Sequence, residues 1–74
     1  MTKIERIEQV LLDVGYISNI DTLNGVYGFR TNRLGAFIHI LRNKYVIVTT
    51  IKKDMHNNYE DCIYTMRGKI WAYQ

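Results

Sequence analysis

Few residues in this chain have types and spacing suited to bond-making chemistry. The soft metal-ligand and nucleophile candidates are His39, His56 and Cys62, and none falls in the CxxC or HxxxH spacing that converges on a zinc ion. A nucleophilic Cys62 would need a base and an orienting group beside it, whereas a cysteine inside an apolar, strand-like run reads as a small buried residue. The sequence contains no glycine-rich phosphate loop, paired-carboxylate spacing or serine elbow. The expectation is a protein that binds rather than catalyses, with no metal and no cofactor.

What the sequence does concentrate is positive charge. The net charge of +3 over 74 residues is modest, but residues 26–53 hold Arg30, Arg33, Arg42, Lys44, Lys52 and Lys53 with no carboxylate, a local +6. Residues 1–25 carry −2 and residues 54–74 carry −1. A basic block between slightly acidic ends is the footprint expected of a surface that meets a polyanion.

The elements that must position those cations follow from caps and periodicity. Thr2 and Glu5 form a capping box that starts a helix over 3–14, with Ile4, Ile7, Val10, Leu11 and Val14 on one stripe and Gly15 closing it. After Tyr16-Ile17, Ser18 and Asp21 cap a second, short helix that ends by Gly28. Gly28-Phe29-Arg30 reads as a turn, and Thr31 as the cap of a third helix from Asn32 to about Lys44, whose apolar side is Leu34, Ile38 and Leu41, widened by Phe37 and Ile40. Tyr45–Ile51 is β-branched and aromatic, as a strand prefers. Residues 53–61 form the tip of a hairpin around Asn57-Asn58, and Cys62–Arg67 is its return strand. Beyond Gly68, residues 69–73 either add a short third strand or pack their aromatics on the core. Without repeats, low-complexity segments or a linker, residues 1–74 form a single domain.

Three short helices followed by a β-hairpin make an α+β fold on the winged helix-turn-helix plan, in which the third helix enters the major groove of double-stranded DNA and the hairpin wing lies beside it. On that plan Arg33, early in the third helix, reaches a guanine edge. Asn32 either pairs with adenine or caps the helix. Arg30, Thr31, Arg42 and Lys44 fall where phosphate contacts orient the protein without reading sequence. Lys52 and Lys53, with His56 and Asn57, place cations on the wing, although Asp54, Glu60 and Asp61 share that hairpin. Tyr45, Tyr59, Tyr64, Trp71 and Tyr73 read as core packing before they read as a stacking platform.

The third-helix stretch R-L-G-A-F-I-H-I-L-R-N-K-Y-V-I resembles the short phage and prophage winged helix-turn-helix proteins, where it runs approximately R-L-S-A-R-I-x-x-L-R-K-x-G-Y-x-I. Arg33, Leu34, Ala36, Ile38, Leu41 and Arg42 match directly, and Tyr45 and Ile47 match if one residue is dropped before the tyrosine. Gly15-Tyr16-Ile17-Ser18 looks like that family's link between its first two helices. The resemblance spans about residues 3–51 and implies a transcriptional regulator or excisionase-like factor of phage or mobile-element type. Phe37 stands where the family usually has arginine, and the glycine that closes the helix is missing.

An exposed Phe37 on a charged face suggests a second class of function. A phage-encoded interaction protein, such as an antirepressor or an inhibitor of a host defence or polymerase component, would use Tyr27, Phe29, Phe37 and Trp71 as anchors. On the DNA reading the plan allows a homodimer, because one small module gives a limited interface and a single half-site. A charged opening unlike a secretory signal, a single cysteine and the lack of an apolar run near the roughly 20 residues of a membrane span point to the cytoplasm.

Overall fold

Local chemistry at the start of the chain builds α1 (Lys3–Val14). Thr2 Oγ1 accepts from the Glu5 N–H at 3.3 Å and Glu5 Oε1 accepts from the Thr2 N–H at 2.9 Å, so both members of the capping box satisfy a backbone donor that the helix leaves free. Gly15 ends the helix at φ 96°, with its N–H on Leu11 O, a conformation that glycine adopts without the Cβ clash other residues meet. The apolar stripe buries Ile7 and Leu11 completely and half-buries Ile4 and Val10, while Val14 stays exposed.

The computed structural model describes residues 2–69. They form three helices and a three-stranded antiparallel sheet in a winged-helix-like layout: α1, then β1 (Tyr16–Ser18), α2 (Asn19–Leu23), α3 (Leu34–Leu41), β2 (Tyr45–Lys53) and β3 (Tyr59–Lys69). The strand order is β1-β3-β2, so among the described residues β3 is central and both neighbours are edges. Tyr16, Ile17 and Ser18 lie opposite Thr65, Tyr64 and Ile63. One face of the sheet packs on the helices around Ile7, Leu11, Ile17, Leu34, Ile38, Leu41, Tyr45 and Ile47.

Several expected boundaries move. The link after α1 is a strand, because Tyr16–Ser18 finds pairing partners in β3, more than forty residues away. Thr31 is not the cap of α3: Arg33 holds that position without a side-chain capping bond, and the helix begins at Leu34 rather than Asn32. It ends at Leu41 rather than near Lys44, because Asn43 and Lys44 donate to Ile40 and Leu41, three residues back, and wind 42–44 into a tight turn. The hairpin tip contracts to 54–58. Asp54 Oδ1 accepts from the His56 and Asn58 N–H groups, both at 2.9 Å, and Asn57 takes φ 65°. Gly68 does not separate two strands, since β3 runs through it to Lys69. The third strand expected over 69–73 lies almost wholly outside the described residues.

The hairpin projects from this base and gives the molecule extents of 45 × 26 × 20 Å. On β2 only Tyr45 and Ile47 are buried. Because β1 stops opposite Ile63, the hairpin beyond that level has two strands.

Candidate nucleic-acid interface

Once Leu34, Ile38 and Leu41 are turned into the core, the 3.6-residue period leaves Gly35, Ala36 and His39 on the solvent side of α3. Arg33 opens that face and Asn43 lies just past its end, both exposed. Residue type alone gives these small and polar side chains no part in an interface, although subtracting the buried positions from the helical period finds them. Gly35 has a second role on the sheet side, where a Cβ would stand 3.4 Å from the Tyr64 hydroxyl. Burial first, and then the hydrogen bond with Cys62, push the Tyr64 phenol up to about 12, so it stays neutral beneath the helix.

All six cations of the carboxylate-free stretch are exposed: Arg30, Arg33, Arg42, Lys44, Lys52 and Lys53. They are not equally available. Lys44 Nζ lies 3.8 Å from Glu8, and Lys52 Nζ lies 3.7 Å from Glu60. Arg42 donates to Ile47 O and to Thr49 Oγ1. Among the described residues, Arg30, Arg33 and Lys53 form neither an ion pair nor a hydrogen bond through their own side chains. Arg30 lies along Gly25, where a Cβ would come within 2.9 Å of its Nε, so that glycine (φ 76°) supplies both the turn and the room.

Thr31, expected among the phosphate contacts, is 7% exposed and its hydroxyl accepts from the Arg33 N–H at 3.0 Å. Its place is inside the approach to α3, where it orients Arg33. Asn32 is exposed beside it. His39, His56 and Cys62 are spread over α3, the hairpin tip and the buried side of β3.

The residues expected to anchor a protein partner are mostly spent on the fold. Tyr27, Phe29 and Phe37 are half-buried and packed against the core. Phe37 is therefore not the exposed wedge that its place in the sequence suggests: the fold packs that flank of α3 against the core and half-buries it. Tyr27 also accepts the Ser18 N–H at 3.2 Å, and burial raises its phenol above the ordinary value. Trp71 lies outside the described residues, as does Tyr73. Of the other tyrosines, Tyr45 is buried, Tyr64 is half-buried and Tyr59 is exposed.

Asp61 is an unexpected tie at the side of the hairpin. Its carboxylate accepts from the Ser18 hydroxyl, from the Ile20 N–H at 3.1 Å and from the Cys62 N–H at 2.7 Å. Burial alone would raise its pKa, but the Ser18 and backbone hydrogen bonds outweigh it and hold the carboxyl below the usual aspartate value. Between α1 and the end of α3, Ile4, Glu8, Ile40, Leu41 and Lys44 line an open groove of about 360 Å³ together with Glu5 and Asn43. There Glu8 accepts from the Tyr45 hydroxyl at 2.5 Å.

No helix among the described residues is long and apolar enough to cross a membrane. No family model, curated protein or solved structure matches this chain at a significant level.

Proposed function

We propose that this chain binds double-stranded DNA as a winged helix-turn-helix module, with α3 in the major groove and the β2–β3 hairpin as the wing. The observation that carries the reading is that every cation between residues 26 and 53 is exposed, on the approach to α3, the turn after it and the outer half of β2, with no carboxylate in that stretch. Gly35 and Ala36 allow close approach of the helix to a groove, and Arg33 beside them supplies a planar donor fork suited to guanine. Arg30 and Lys53 flank it as phosphate contacts. With the phage-type resemblance of residues 3–51, the role is that of a transcriptional regulator or excisionase-like factor acting without chemistry.

Fluorescence anisotropy of the purified chain against a labelled duplex, over a series of salt concentrations, tests this. Neutralising a phosphate releases counterions, so the three cations held by neither an ion pair nor a side-chain hydrogen bond, Arg30, Arg33 and Lys53, set an expected log–log slope of about −3. Arg33→Ala should remove about 1–3 kcal/mol of discrimination between guanine-bearing and substituted sites. No binding even at low salt would end the DNA reading.

One observation favours a second reading, a surface that meets protein. Tyr16 and Val48 lie on either side of Thr65 on the sheet face away from the helices, and Tyr16, Val46 and Val48 are 47%, 47% and 40% exposed. A second copy of the chain, or a host or phage protein, would cover this apolar row. Association through it should be nearly indifferent to salt, so sedimentation at low and high ionic strength separates it from the DNA reading.

A further inference from the structure

On β3 the outer half of the hairpin reaches the helical layer through Tyr64 and Cys62, but β2 has no apolar support there, so on that strand the direction relative to α3 is set by other contacts. No residue of β2 beyond Ile47 is buried. A ladder irregularity falls just there: Val46 pairs with Gly68 and Ile47 with Met66, leaving Arg67 as an extra residue on β3. Such a bulge bends the ribbon and increases its twist. On one edge Asp61 ties the hairpin to β1 and α2. On the other edge, among the described residues, the only side chain from the helical layer that bonds to β2 beyond Tyr45 is Arg42, in the turn after α3.

The backbone geometry explains what Arg42 grips. Met66 N–H donates to Gly15 O at 2.9 Å, on the β1 side of β3. Opposed residues in an antiparallel ladder exchange both bonds or neither, so Ile47, facing Met66, turns its carbonyl to the free edge of β2. Arg42 Nε meets that carbonyl at 3.3 Å and its Nη2 meets Thr49 Oγ1 at 2.5 Å. The guanidinium thus spans two successive outward positions of the strand immediately past the bulge, and it also closes part of an edge that another strand could otherwise join.

We infer that Arg42 is a positioning residue that sets the angle between α3 and the hairpin, and with it the spacing of the two surfaces presented to DNA. The DNA consequence rests on the proposed reading; the angle itself does not. A planar fork with fixed donor directions holds two acceptors in one orientation, and a lysine ammonium on a flexible stem does not. The Arg42→Lys variant therefore keeps the charge and loses the strut, while Thr49→Val removes one acceptor without changing charge or β-branching.

The angle is measured first, without DNA, as the distance distribution between spin labels on His39→Cys and His56→Cys, with Cys62→Ala so that only those sites react. Arg42→Lys and Thr49→Val should broaden or shift the distribution, and Arg42→Lys should not restore what Arg42→Ala loses. Duplex binding then follows at several salt concentrations. Positioning predicts that Arg42→Lys binds as weakly as Arg42→Ala, about tenfold below the parent if one charged hydrogen-bond pair is lost, with an unchanged salt slope, and that Thr49→Val weakens binding in the same direction. An unchanged distance distribution overturns the inference. So does an Arg42→Lys variant that binds like the parent beside an Arg42→Ala variant whose slope is shallower by about one, the mark of a phosphate contact. If the parent binds no duplex, the DNA reading falls, and the distances alone decide whether Arg42 sets the angle.

Discussion

The helical layer and the outer half of the hairpin are held by different forces. Behind α1 and α3, Ile7, Leu11 and Leu34 have no exposure and Ile38 has 1%, so that layer stands on close apolar packing, which loses much of its value if one side chain is cut back. Beyond Ile47 no residue of β2 is buried, and apart from Tyr64 and Cys62 on β3 the hairpin depends on its own ladder and on polar ties at its edges, Asp61 on one side and Arg42 on the other. Packing settles whether the chain folds, and directional hydrogen bonds settle where the hairpin points. Mutations in the two regions should therefore fail in different ways.

The strongest blow to the packed region is Ile38→Ala, which should remove about 2–5 kcal/mol, a large part of the stability of a domain this size. Urea denaturation should show the whole molecule shifting in one cooperative step. A variant that loses hairpin signals first would mean that the two regions are not held as differently as their contacts indicate.

Asp61→Asn should cost less, about 1–3 kcal/mol, because it weakens charged hydrogen bonds without opening a cavity. Amide exchange should rise first around Cys62 and in the hairpin, not in α1. The pH dependence has a definite sign. The folded-state carboxyl lies below its ordinary value of 3.8, so its contribution is present above that pH and is lost as the pH falls through the lower folded value. The gap between the parent and Asp61→Asn should close on acidification through that window. A gap that stays constant would remove the carboxylate charge from the account.

The smallest effect belongs at the far end of the helical layer. Thr2→Ala removes one half of a capping box and should cost about 1 kcal/mol or less, read as a small fall in the thermal midpoint with the hairpin's exchange pattern unchanged. Together the three variants rank core, tie and cap, and an inversion of that order would break the contrast between the two regions.

The elements with local causes are legible in the amino-acid sequence. In α1, Thr2, Glu5 and Gly15 are all neighbours of the segment they delimit, and the helix runs over the expected residues. Ser18 caps α2 for the same reason, accepting the Asp21 N–H at 3.3 Å. Leu34, Ile38 and Leu41 declare the buried side of α3 by spacing alone. The concentration of cations between residues 26 and 53 is equally plain, being a property of composition.

Tertiary structure decided the rest, because the deciding partners are distant in sequence. Three residues are too few to show strand alternation, so Tyr16–Ser18 became β1 only through Thr65, Tyr64 and Ile63. Thr31 has the right side chain for a cap, but burial and the Arg33 N–H claimed its hydroxyl ahead of the helix. Phe37 looks exposed on a charged helix until the rest of the fold half-buries that flank. Arg42 shows the limit most clearly. Its charge is written in the sequence, but its partners at Ile47 and Thr49 depend on which edge of β2 is left free, and that is fixed only when β3 takes its place between the other two strands.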